Sequence, residues 1–149
     1  YQGIPNNAIK KFMLEDNKGY IEVIAGSYKS VTGAADTFTP VHLLNAKLNA
    51  GSRADFSFPE NYNTALLVIE GEVLVNSAQL VKTDHFLLFG NQGEDFTLTA
   101  GENAIALILS GEPIQEPIAA HGPFVMNTHQ ELIEAFDDYN QGKFGYLED

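Results

Sequence analysis

The sequence predicts an all-β fold, a sandwich or closed barrel of short strands completed by one C-terminal α-helix. Three observations predict it. Between residues 20 and 109 the chain is a succession of short apolar or alternating stretches separated by Gly-, Asn- and Asp-containing turns, with no helical period among them. Within residues 53–58, Ala54, Phe56 and Phe58 alternate with Arg53, Asp55 and Ser57, the period of two that a half-buried strand requires. Beyond Gly111, prolines and then a helix-capping pattern replace the strand signals. Many short strands without crossover helices favour closure, which also removes the exposed edges that invite association.

The elements follow in order. Residues 1–17 read as a linker or N-terminal segment, 18–111 as the barrel, and 112–149 as a Pro-rich tail with the helix, together one domain. Residues 20–25 form a first strand, stopped by Gly26. In residues 41–48, His42, Leu44, Ala46 and Leu48 share one face and Lys47 takes the other. Residues 64–69 are nearly all apolar, turn at Glu70-Gly71-Glu72, and continue as 73–75. Strands at 78–82, 85–89, 96–99 and 104–109 are separated by Gly90-Asn91-Gln92-Gly93 and Ala100-Gly101-Glu102. Pro113 and Pro117 then lack the N–H that a central strand would need, and Gly122-Pro123 marks a bend. Thr128-His129-Gln130-Glu131 is a capping box. Leu132, Phe136 and Tyr139 recur at helical spacing behind it, predicting a helix over 128–141 whose apolar stripe is buried on the outside of the barrel or on a neighbouring domain.

Composition narrows the function classes. A chain of 149 residues with 44% apolar content can bury a substantial core without a staple. It has no Cys, which removes disulfides, thiolate catalysis and cysteine-ligated metals, and suits a cytoplasmic location. A net charge of −12 repels nucleic-acid phosphates and anionic lipid, so neither nucleic acid nor membrane is expected as a partner. No stretch resembles a signal peptide or a spanning helix. The sequence opens at Tyr1 rather than Met, as a piece of a longer chain or a renumbered one would.

The tail Gly122-Pro123-Phe124-Val125-Met126-Asn127-Thr128, with Asp138-Tyr139 and Gly142-Lys143-Phe144-Gly145, resembles the closing signature of pirin-like proteins. So do Gly111-Glu112-Pro113-Ile114 with Glu116-Pro117, and Leu66-Leu67-Val68-Ile69-Glu70-Gly71-Glu72-Val73 as the family's mid-barrel hairpin. The likeness runs over residues 21–145. Such proteins are bicupins, two packed β-barrels with iron in the first. Some members are linked to quercetin 2,3-dioxygenase activity and others to transcriptional cofactor roles. The resemblance is to the second barrel, so it implies a cupin-type β-barrel (jelly roll).

The resemblance also implies where metal ligands would stand: near Ser57–Phe58, Pro59–Glu60 and Thr64, and near Asp95–Phe96 in the second cupin segment. No His-x-His occurs in the chain, and of these positions only Glu60 is read as able to ligate. The expectation is therefore no catalytic residue, no metal and no cofactor here, with iron confined to an N-terminal cupin. The histidines are dispersed: His42 reads as a hydrogen-bonded structural residue, His85 as exposed, His121 as a surface or partner contact and His129 as part of the first helical turn. Glu70 and Glu72 read as solvated turn carboxylates, and Glu94-Asp95 and Asp137-Asp138 as surface charge. No nucleophile elbow or phosphate loop is present.

Three readings stay open. The favoured one is a metal-free structural and interaction domain, partnered by an N-terminal cupin or by a second copy in a homodimer. A second makes the chain part of an iron-dependent quercetin 2,3-dioxygenase-type enzyme, inactive by itself. The third is a metal-free cupin that binds a small apolar ligand in a pocket of Phe56, Phe58, Leu67, Phe86 and Phe96.

Overall fold

The structure, a computed structural model, describes residues 2–146; Tyr1 of the expected linker and residues 147–149 of the expected tail lie outside them. The chain divides into two compact units, Tyr1–Pro113 and Ile114–Asp149. The first contains β1 (Lys10–Met13), β2 (Gly19–Ala25), β3 (Ser27–Tyr28), β4 (Val31–Thr32), β5 (Val41–Leu48) and β6 (Ser52–Ser57). It continues through β7 (Asn63–Glu70), β8 (Glu72–Val75), β9 (Gln79–Lys82), β10 (Phe86–Leu88), β11 (Asp95–Ala100) and β12 (Ala104–Gly111). The second holds β13 (Ala119–His121), β14 (Phe124–Met126) and α1 (His129–Asn140).

Two antiparallel sheets form the jelly roll of the first unit. One has six strands in the order β1-β2-β5-β12-β7-β10, and the other four in the order β6-β11-β8-β9. Ile21, Val23, Leu44, Leu66, Val68 and Ile108 of the larger sheet are buried in one core with Phe56, Val73, Val75 and Leu98 of the smaller. Each such side chain contributes about 1.5–3 kcal/mol on burial. The expected linker 1–17 supplies an edge strand instead: Phe12 pairs with Ile21 and packs on the core, although Lys10 and Lys11 before it make the segment polar in sequence.

Because paired residues of an antiparallel sheet point to the same side, the outer face of the larger sheet is made of rows that cross it. One row runs Phe86, Leu67, Leu107, Asn45, Glu22 and Lys11. The next runs Leu88, Ala65, Leu109 and Leu43. The β7–β10 half is apolar and open to solvent, with Phe86 61% and Leu88 69% exposed.

The opposite half is polar and centres on Glu22, a buried carboxylate. It accepts a 2.8 Å hydrogen bond from Asn45 Nδ2 and lies 3.3 Å from Lys11 Nζ and 3.5 Å from Lys47 Nζ. Burial by itself would raise the carboxyl, but the Asn45 hydrogen bond and the two ammonium groups outweigh it and hold it below its ordinary 4.5. A depressed folded value stabilises the fold above the unfolded value, and this contribution is lost as pH falls through the folded one. Glu22→Gln is therefore expected to lower stability at neutral pH by on the order of 1–2 kcal/mol, since both lysines are partly solvated. The difference from the parent chain should shrink below 4.5, which urea midpoints at several pH values check.

In the second unit the capping box is formed. Thr128 Oγ1 accepts from the Glu131 N–H at 3.2 Å, and Glu131 Oε2 accepts from the Thr128 N–H at 2.8 Å. The helix packs on its own hairpin, β13–β14, through buried Leu132 and Ala135. Phe136 is half-buried, its ring edge-on to Phe124 at 4.9 Å, and Tyr139 of the expected stripe is 64% exposed. Phe136→Ala should therefore cost about 2 kcal/mol rather than the 3–5 of a fully buried ring. Loss of helical ellipticity on heating checks this.

Candidate functional site

Period-two geometry decides which aromatic residues meet. Phe56 of β6 pairs with Phe96 of β11, and both rings point between the sheets. They stack at 5.0 Å with 13° between planes, and Phe89 lies 4.4 Å from Phe96. Phe58, 6.1 Å from Phe96, extends the cluster to His42 at 4.9 Å. A cavity of about 70 Å³ remains, lined by Phe58, Tyr62, Thr64, Phe89 and Phe96 among others. It has room for a few waters and falls short of the ~300 Å³ at which ligand pockets begin.

The expected pocket of five residues is thus corrected. Phe56, Phe58 and Phe96 are together and buried, but they fill the interior themselves. Leu67 and Phe86 pair with each other on the outer face, because β7 turns Leu66 and Val68 inward and so turns Leu67 out.

The positions implied for metal ligands are engaged otherwise. Glu60 Oε1 accepts from the Gly93 N–H at 3.0 Å, Thr64 Oγ1 lies 2.8 Å from Ser110 Oγ, and Ser57 and Asp95 are exposed. Among the described residues no group of three or more His, Asp or Glu is gathered to hold an ion. A hydroxyl pair, one hydrogen-bonded carboxylate and phenylalanine rings are poor donors for iron, so this interior does not fit one. His42 Nδ1 lies 3.3 Å from the Ser27 amide nitrogen and 3.2 Å from its carbonyl oxygen, a structural role. His85, His121 and His129 are exposed.

A larger concavity lies elsewhere in the first unit, and it was not foreseen from the sequence. It measures about 470 Å³ between β1 and β6, one edge strand from each sheet. Phe12, Leu14, Tyr28 and Ala54 give it an apolar wall, and Lys18, Lys29 and Arg53 give it cations. Phe12 and Tyr28 meet edge-on at 5.3 Å, and Tyr28 is backed by Phe56 at 5.2 Å. The Tyr28 hydroxyl donates to the Asp55 carbonyl oxygen at 3.1 Å, and burial, with the nearby Asp55 charge, pushes the phenol up to about 12. Arg53 Nε donates to Asp55 Oδ1 at 3.1 Å, as does Thr97 Oγ1 at 2.9 Å. The Thr97 hydrogen bond, ahead of the Arg53 contacts, holds that carboxyl low.

Comparison with known proteins places these features in context. The family described as the Pirin C-terminal cupin domain matches residues 43–145. A crystal structure of quercetin 2,3-dioxygenase from Acinetobacter baumannii superposes with a TM-score of 0.87 at 38% identity, over 99% of this chain and 51% of that one. The Pirin-like protein of Solanum lycopersicum is 32% identical over 129 residues, which are 85% of this chain and 44% of that protein. Pirin-1 of Arabidopsis thaliana is 31% identical over 137 residues, 89% of this chain and 48% of that protein. The chain spans about half the length of the curated relatives it matches.

Proposed function

The chain belongs to the pirin family as its C-terminal cupin domain, and on that premise we propose that it is a non-catalytic barrel, which buttresses the metal-bearing N-terminal cupin of a longer pirin-like protein. The observation that carries this reading is the interior itself. Where a cupin would converge imidazoles and a carboxylate on an ion, this barrel packs Phe56, Phe58, Phe89 and Phe96 against one another. Any dioxygen chemistry of the parent, of the kind named for the Acinetobacter neighbour, then belongs to the other half, in a cytoplasmic protein. The third reading, a small apolar ligand in the aromatic interior, is not favoured, because the rings leave only about 70 Å³.

The partner surface in this reading is the apolar half of the larger sheet's outer face: Leu67, Phe86, Leu88, Leu107 and Leu109. An exposed apolar patch of this kind marks an interface, and the occupant in this reading is the N-terminal cupin of the longer parent, the relatives being about twice as long as this chain. Without that barrel, two copies should cover the face, as a two-fold dimer.

The purified chain is expected to carry no stoichiometric iron after dialysis and to turn over quercetin no faster than a protein-free control supplied with iron(II). One equivalent of tightly held iron, or turnover above the control, would overturn the proposal. Sedimentation at micromolar concentration should show a reversible dimer that Phe86→Glu dissociates, and a clean monomer throughout would remove the partner surface.

A further inference from the structure

The cavity between β1 and β6 shares no residue with the aromatic interior's lining or with the proposed partner face. At about 470 Å³ it falls within the size range of small-molecule sites. Its charge is out of keeping with the chain. The protein carries 8 Lys and Arg against 20 Asp and Glu, yet Lys18, Lys29 and Arg53 all line this one concavity. The carboxylates that also line it are Glu15, Asp16 and Asp55. Asp55 is already held by Arg53 and Thr97. Among the described residues neither Lys18 nor Lys29 forms an ion pair, as Lys10 and Lys82 also do not, although the Lys29 charge helps hold the Asp55 carboxyl low.

Both free ammonium groups are held on fixed backbone. Lys18 is half-buried, and its carbonyl accepts from the Asn49 N–H at 2.9 Å while Asn49 Nδ2 donates to the Asn17 carbonyl at 2.8 Å. Lys29 opens the two-residue turn between β3 and β4 with φ of 49°. Glycine or asparagine adopts that conformation without strain, and lysine does not. The Lys29 ammonium stands 5.8 Å from the Tyr28 ring centroid, so cation and aromatic surface are presented together. A half-buried ammonium, Lys18, and an exposed one, Lys29, beside the Tyr28 ring together recognise an anion that has a flat apolar body.

We propose that this cavity binds a small aromatic carboxylate, its ring against Phe12 and Tyr28 and its carboxylate met by Lys18 and Lys29. Titration of the ¹⁵N-labelled full chain with 4-hydroxybenzoate tests it. Saturable shifts are expected at the amides of Leu14, Gly51 and Ala54, with 4-hydroxybenzyl alcohol and acetate, which lack the charge and the ring respectively, at least about tenfold weaker. Lys18→Gln and Lys29→Gly should each weaken binding by about fivefold or more, and Lys82→Gln should leave it unchanged. Lys29→Gly also separates recognition from folding, because glycine suits that turn and the melting temperature should hold or rise. Shifts that do not saturate by about 10 mM, that map elsewhere, or that are indifferent to both lysine variants would overturn the proposal, as would equal binding of the alcohol.

Discussion

Phe96→Ala is expected to lower the free energy of unfolding by about 3–5 kcal/mol, the range for deleting a buried aromatic ring. Phe96 is only 5% exposed and is the hub of the interior cluster, in contact range of Phe56, Phe58 and Phe89. Its removal forfeits the stack on Phe56 as well as the transfer of the ring itself. The site is also poorly placed to collapse. Phe56 and Phe96 are register partners on adjacent strands, so neither backbone can move toward the gap without breaking the β6–β11 ladder. The void would merge with the existing cavity of about 70 Å³, and residual cavity volume sets the cost within that range. Urea denaturation should show a lower midpoint with an unchanged slope. Phe96→Leu should lose far less. A loss below ~1 kcal/mol would mean that the interior is not packed around this ring.

How much of this was legible in the sequence depends on how many faces of a strand are buried. The all-β fold with a C-terminal helix was legible in the strand pattern and its cupin jelly roll in the resemblance of the tail, and the strand at residues 41–48 coincides with β5, because one face meets the core and the other meets water. The same rule placed Phe56 and Phe58 inward. It failed on β7, where Ala65-Leu66-Leu67-Val68-Ile69 is apolar throughout. A strand that is apolar on both faces gives no phase, so nothing local told Leu66 from Leu67, and only its register with β10 and β12 places Leu67 and Phe86 outside. β1 was hidden for the opposite reason, having one inward residue, Phe12, between lysines and methionine.

Turn chemistry accounts for the short hairpins that were missed. The β3–β4 turn is Lys29-Ser30, which carries none of the Asn-Gly or Gly-x signals that mark a two-residue loop. Gly122-Pro123 did mark the β13–β14 turn as a bend, but strands of three residues show too little alternation to be read. The cavity between β1 and β6 was not legible at all. Its lysines, arginine and aromatic residues come from three separate stretches of chain, 12–18, 28–29 and 51–55, and no spacing rule links them. The charge imbalance suggested only an acidic, soluble surface. It gave no hint that three of the few cations converge.

The substitution expected to damage the fold most without touching the core is Gly19→Ala. Gly19 begins β2 with φ of 114°, where L-residues are strained by about 1–3 kcal/mol. An added Cβ would also collide with the Lys47 carbonyl oxygen and sit 3.2 Å from the Asn49 amide nitrogen, both backbone atoms. No side-chain rotation relieves that contact, so β2 must move away from β5 at its first pair, Gly19 with Leu48. Strain and displacement together should cost about 2–5 kcal/mol. The damage should be directional as well as large. Asn49 holds the Lys18 and Asn17 carbonyls, so a shift at this point carries Lys18 with it and opens the floor of the cavity. Gly51→Ala provides the contrast. Its φ of 75° is also positive, but the nearest atom to an added Cβ is the Lys18 ammonium at 3.2 Å, the free end of a flexible side chain. That variant should lose only about 1 kcal/mol and keep native amide shifts along β2 and β5. Gly19→Ala should displace those shifts from Leu14 through Ser52 and melt well below it. Equal melting temperatures for the two would show that the β2–β5 corner yields, and that Lys18 is not held by it.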